Sequence, residues 1–242
     1  MKGMTSFSLH ILAMACMLCD HLWGTVIPGN EWLTCIGRLA FPIFAFLTVE
    51  GYCHTSNFRK YLLRMLLFAV LSEIPFNLAM GGRLFYPLHQ NVLWSFLISL
   101  GLIHWNERVK ITGKHWKRIF VISASMVIAF FCGILTMVDY YHAGILTVLV
   151  FYYFHGNTLY HRVAQLIGLM YINLEILGGL VYPVNFLGYA TEIPQQAFAL
   201  LALIPIWLYR GEQGYYNRHV RLLYYGFYPV HLLILGLLNQ VI

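Results

Sequence analysis

Apolar run follows apolar run along almost the whole of this chain, each parted from the next by a short polar or basic connection. The runs fall at approximately 5–27, 33–53, 60–80, 90–106, 118–137, 141–155, 161–177, 195–210 and 221–241. A hydrocarbon layer of about 30 Å takes about 20 helical residues at about 1.5 Å each, so several of these runs are long enough to cross it. The run at 141–155 is short, and 178–194, "GGLVYPVNFLGYATEIP", reads as a loop or a re-entrant segment. Charged residues make up only 10% of the chain, against roughly 25% in a soluble domain. The expected fold is all-α: a polytopic integral membrane helical bundle of about nine transmembrane helices, forming a single domain over 1–242. The first run is expected to be a retained helix. It has no evident small-residue cleavage site, and Asp20 and His21 interrupt it where a signal peptide stays apolar.

The basic residues orient the scheme. With the N-terminus inside, the inner connections receive Lys2, Arg59, Lys60, Arg64, Arg108, Lys110, Lys114, Lys117, Arg118, Arg162, Arg210, Arg218 and Arg221, which is 13 of the 15 Lys and Arg residues. The positive-inside rule then predicts N-terminus in and C-terminus out. The net charge of +6 is spread over short loops, which suits anionic lipid and speaks against nucleic acid as a partner. Arg38 and Arg83 break the rule, and a misplaced arginine calls for a local anionic partner. Cys16 and Cys19 share a helix face, and the five cysteines are read as small apolar helix residues.

The same topology gathers polar residues near the outer leaflet: Asp20 and His21, Glu73 and Asn77 one turn apart, Gln90 and Asn91, Asp139 and His142, and Tyr189 and Glu192. An ionisable group at membrane depth costs about 2.5–3.5 kcal/mol at the helix centre, so such groups pair around a shared, partly wet hollow or mark function. The plain alternative is interhelical glue. Glu50 and His54 form an i, i+4 pair at the inner end of the second run, and Tyr228 and His231 lie near the middle of the last, beside Pro229. His21 is expected to act as a general base with another acid as partner, Glu73 or Asp139, because adjacent helical residues point about 100° apart. Asp20 is then free for Arg38. Phosphate loops, a nucleophile elbow and metal-ligand spacings are missing from the sequence, so no metal is expected.

The segments "MLCDH", "GRLAFPIFAFLTVEGYCHTSNFRKYLLRMLLFAVLSEIPFNLAM", "HQNVLWS", "VDYYHAGILTVLVFYY" and "YYGFYPVHLL" resemble the TraX family, membrane proteins named after the conjugative pilin acetylase. The matching segments run in order over nearly the whole chain and are most specific from Gly37 to Leu78. The resemblance implies acetyl transfer from acetyl-CoA to an amine or hydroxyl of a peptide, glycan or lipid at the outer side of a bacterial cytoplasmic membrane. It carries over Asp20, His21, Arg38, Glu50, Glu73, Asn77, Gln90, Asn91, Asp139, Tyr228 and His231 as the polar motif. His21, Asp20, Glu73 and Arg38 are then the catalytic group, and the others, with His142, line the acceptor site. The chain departs from the family pattern after Asp139-Tyr140, where Tyr141-His142 stands in place of a small residue. CoA phosphates would meet Arg59, Lys60 and Arg64 or the 107–118 loop, cations whose alternative reading is orientation and lipid contact alone. Arg38 or the Gln90 and Asn91 amides would stabilise the oxyanion, and an acetyl-His21 intermediate is equally open. The competing readings are a transporter or flippase, and a non-catalytic membrane chaperone for a secreted peptide.

Overall fold

A computed structural model describes residues 3–112, 114–186 and 189–241, with backbone only at residue 112, 184–186 and 189–191. It is almost wholly helical. Helix α1 (Ser6–Thr25) starts where the Thr5 hydroxyl accepts from the Ser8 amide. Helices α2 (Glu31–Gly37) and α3 (Ala40–His54) form one apolar stretch interrupted at Arg38 and Leu39. Asn57 caps α4 (Phe58–Gly81), and Gly82, at φ 62°, ends it in the left-handed conformation that glycine adopts freely. Helices α5 (Val92–Thr112), α6 (His115–Leu135), α7 (Tyr141–Tyr153) and α8 (Leu159–Met170) follow. The last of these widens into a π-helical stretch, Tyr171–Leu177.

Strands β1 (Val181–Phe186) and β2 (Tyr189–Pro194) then pair antiparallel, Val181 opposite Pro194. A loop or re-entrant segment is expected here; a hairpin forms because β-branched and aromatic residues fill both stretches. A 3-10 turn, Gln195–Ala202, leads into α9 (Leu203–Trp207), and α10 (Arg218–Asn239) closes the chain.

Helices α3 and α7 are apolar on all sides and therefore sit inside, where Ile43, Phe46, Val49, Ile145, Val148 and Phe151 pack the core. Helices α4, α6 and α10 lie outside and expose apolar faces, among them Leu67, Val70, Ile74, Phe120, Phe131, Val230 and Ile234. Faces of this extent belong against lipid. Among the described residues, five helical segments are long and apolar enough to cross a membrane: α1, α2 with α3, α4, α6 and α10. At 13 residues, α7 covers only about 20 Å. Helix α5 runs past its expected end at residue 106, and its last turns carry a Lys110–Glu107 pair. Helices α1, α4 and α10 pack together, and Gly236 lets α10 close on α4: a Cβ there would lie 2.9 Å from the Ala79 nitrogen.

Candidate functional site

At one end of the bundle α2 is pressed onto α1. A Cβ on Gly37 would overlap Asp20, so glycine is what lets the two helices touch. The contact delivers Arg38 to Asp20, whose Oδ1 accepts from the Arg38 guanidinium and from Thr34 Oγ1 at 2.7 Å. The expected ion pair is therefore present, and both side chains are mostly buried. The Arg38 Nε–H is buried and makes no hydrogen bond among the described residues.

His21, the next residue, turns to α10 instead. Its Nδ1 lies 2.6 Å from His231 Nε2, with the rings nearly parallel. His231 Nδ1 sits 2.6 Å from the Phe227 carbonyl, so it must carry the proton and donate. In the neutral pair His231 Nε2 then accepts from His21 Nδ1–H, which leaves His21 Nε2 with a free lone pair. An acid partner, Glu73 or Asp139, is the expectation from sequence. His231 takes that place because it faces α1 one turn above Tyr228, whose ring lies 6.2 Å from that of His21.

Glu73 is held elsewhere. Its Oε2 accepts from Asn91 Nδ2 and, at 3.0 Å, from Trp94 Nε1, while Oε1 is buried and free of hydrogen bonds among the described residues. Asn91 also donates to the Ala69 carbonyl at 2.8 Å and accepts from the Leu93 amide. Gln90 turns back to the Pro87 carbonyl. Both Asn91 Nδ2 hydrogens are thus engaged, and both amides tie down the loop between α4 and α5. Asn77 is buried, with neither end of its side-chain amide bonded among the described residues.

Asp139 sits on a turn in which Met137, Tyr140 and Tyr141 all have positive φ, a conformation costing about 1–3 kcal/mol per non-glycine residue. Backbone bonds between Gln90 and both Met137 and Asp139 brace it, and Tyr140 stacks on Phe41. Asp139 Oδ1 meets His89 Nε2 at 3.3 Å. That bond holds the His89 imidazole above its usual pKa. His142 departs from the group, its ring packing on Phe130 of α6. Glu192 is exposed on β2, the Tyr189 side chain lies outside the described residues, and so does Lys2.

At the opposite end Glu50 meets His54, as its spacing predicts, with Oε2 3.6 Å from Nδ1. Its stronger partner is one the sequence did not mark: His155 Nε2 is 2.5 Å from Glu50 Oε1. The carboxylate raises the His155 pKa. The signal available was a histidine just past the aromatic end of the α7 run, "FYYFH".

A cavity of about 560 Å³ opens beside Glu50 and His54 and extends toward the other end. One mouth is lined by Ser6, His54, Ser56, Arg64 and Tyr216, and the walls carry His10, Met14, Glu50, Phe68 and Tyr224. The far end is closed by Met17, Val92, Phe227 and Tyr228, directly below the His21–His231 pair. From Ser6 to Met17 the cavity follows one face of α1 for about 16 Å. Of the three cations expected to meet CoA, Arg64 lines the mouth; Arg59 and Lys60 are exposed beside it at the start of α4.

No solved structure matches this chain. A curated relative, described as a "Probable fimbrial assembly protein FimC, serogroup H1" from Dichelobacter nodosus, is 34% identical over 73 residues. The match covers 28% of this chain and 30% of that protein. The family model described as "TraX protein" matches residues 6–239, nearly the entire length, and takes in both the Asp20–Arg38 and His21–His231 pairs. The chain is a member of the TraX family.

Proposed function

We propose that this protein is a membrane-bound, acetyl-CoA-dependent acyltransferase with nine membrane crossings, its N-terminus inside and its C-terminus outside, in the cytoplasmic membrane of a bacterium. One observation carries the reading: a cavity runs from a mouth beside Arg64 to Phe227 and Tyr228, whose rings lie against the His21–His231 pair. Its volume falls in the range of sites for small molecules and cofactors, roughly 300–1,000 Å³. Acetyl-CoA enters from the inner face. Its phosphates meet Arg64, with Arg59 and Lys60 near, and its pantetheine arm lies along Met14 and Met17.

The acceptor comes from the outer side, past Asn77, Glu73 and Asp139. His21 Nε2 removes the proton from its amine or hydroxyl as the nucleophile attacks the thioester carbon. His231 Nε2 accepts from His21 Nδ1–H and so keeps that nitrogen protonated throughout, as the third member of a catalytic triad does for its base. Arg38 Nε–H and its Asp20-held guanidinium stabilise the oxyanion, a donor worth about 2.7–4 kcal/mol where it has been measured. The carbon–sulfur bond then breaks, and the CoA thiolate recovers the proton from His21. The acceptor is a peptide, glycan or lipid, and the resemblance to a fimbrial assembly protein directs attention first to a secreted polypeptide.

The test uses purified protein in nanodiscs with acetyl-CoA and a mixed pool of peptide, amino-sugar and lipid acceptors, reading release of free CoA thiol. His21→Ala and Met14→Trp, which obstructs the cavity midway, should each bring the rate to background. Failure of the wild type to consume the thioester, or full activity in Met14→Trp, would overturn the reading.

A further inference from the structure

Beside the ion pair lies a chain of hydrogen bonds that the proposed chemistry does not use. Thr34, fully buried on α2, donates to the same Asp20 oxygen that holds Arg38. Thr34 in turn accepts from Gln195 Nε2 at 3.3 Å. The same Gln195 nitrogen donates to the Tyr182 hydroxyl at 3.3 Å, and that hydroxyl donates to Glu31 Oε2 at 2.9 Å. Gln195 is itself buried, and its backbone N–H donates to the Leu180 carbonyl at 2.7 Å, closing the base of the hairpin. Arg38 and Thr34 thus meet on one Asp20 oxygen, and Gln195, Tyr182 and Glu31 extend the chain from Thr34 to the hairpin.

The arrangement has a mechanical consequence. Arg38 stands where α2 meets α3, its backbone amide on the Thr34 carbonyl, and its long side chain is left to turn about several bonds. Its guanidinium takes its aim from Asp20. Asp20 takes its rotamer from Thr34, and the Thr34 hydroxyl is turned toward Asp20 because Gln195 occupies its acceptor side. Arg38 Nε–H meanwhile remains buried and unbonded among the described residues.

Resting on the acyl-transfer reading above, we infer that Thr34 and Gln195 are positioning residues: they hold Asp20, and through it Arg38, in the orientation that the developing oxyanion requires. The β1–β2 hairpin thereby becomes part of the reaction centre, since seating Gln195 and Tyr182 completes the chain. A displacement of the donor by about 1 Å is enough to cost about 100-fold in rate.

The experiment compares Thr34→Val, Thr34→Ser and Gln195→Leu with wild type in nanodiscs, by two readouts. In the first, Thr34→Val and Gln195→Leu lower kcat for acetyl transfer by about 10- to 100-fold, leave KM for acetyl-CoA unchanged, and Thr34→Ser restores the rate. In the second, the rate of phenylglyoxal modification of Arg38, followed by peptide mass analysis, rises in Thr34→Val and Gln195→Leu and returns in Thr34→Ser. The second readout needs no turnover. Faster modification in a protein that never consumes acetyl-CoA would uphold the positioning and refute the acyl-transfer reading. Arg38 modification and kcat both equal to wild type in Thr34→Val and Gln195→Leu would overturn the inference itself.

Discussion

Removing Asp20 alone should damage this protein more than removing Asp20 and Arg38 together. The guanidinium and carboxylate are 13% and 18% exposed, and they neutralise each other where α2 lies on α1. Deleting one partner of a buried pair costs about 3–5 kcal/mol, because the other charge is left without compensation. Replacing both with apolar groups of similar volume restores most of that. Asp20→Leu is therefore expected to destabilise by about 3–5 kcal/mol, which for a chain of this size lowers Tm by roughly 6–20 °C. Arg38→Met should lose somewhat less, since Thr34 still donates to Asp20. The double variant should recover to within about 1–2 kcal/mol of wild type while remaining inactive. The assay is thermal unfolding in one detergent, completed as a double-mutant cycle. Additive losses, or single variants as stable as wild type, would refute the reasoning and place the two charges in water instead of against each other.

Other expectations follow from the same geometry. His231→Phe removes the acceptor for His21 Nδ1–H and should lower kcat by about 10²–10⁴-fold, by analogy with loss of the orienting residue of a triad, whereas His231→Gln, which can still accept, should retain part of the rate; steady-state kinetics decide. Gly37→Ala forces α2 off Asp20 and should cost about 1–3 kcal/mol through overpacking, measured by thermal unfolding. The Glu50–His155 bond raises the folded pKa of His155, so its contribution is complete below the ordinary histidine value of about 6.5 and is lost as pH rises through the raised value. Tm should accordingly fall from pH 6 toward pH 8, and His155→Gln should flatten that part of the profile. Asn91→Leu strips a donor from Glu73 and should destabilise by about 1–3 kcal/mol, since Oε1 already has no partner and the carboxylate would keep only Trp94.

Much of the site was legible because depth in a membrane is legible. Asp20, Arg38, Glu73 and Asp139 stand near the ends of apolar runs, and a charge there calls for a partner; Asp20 and Arg38 found each other because their runs are consecutive. Glu50 and His54 were readable from i, i+4 spacing alone. What was hidden is pairing across long stretches of chain. His21 and His231 lie on the first and last helices, and hydropathy carries no record that α1 and α10 are neighbours. His155 reaches Glu50 across the bundle in the same way. Gln195 had a signal, two adjacent amides opening an apolar run after Pro194, the same pattern that singled out Gln90 and Asn91. The hairpin went unread because a short apolar run rich in Val, Tyr and Ile fits a strand, a loop or a membrane segment equally well.

The central claim is that the thioester reaches His21 from the side of Arg64 through the body of the protein. A structure determined with acetyl-CoA bound tests it most directly. The account predicts the adenosine phosphates at Arg64, the pantetheine along Met14 and Met17, and the thioester carbon beside His21 Nε2. Acetyl-CoA bound only at the exposed surface, or a thioester lying at Glu50 and turned away from Tyr228, would contradict it.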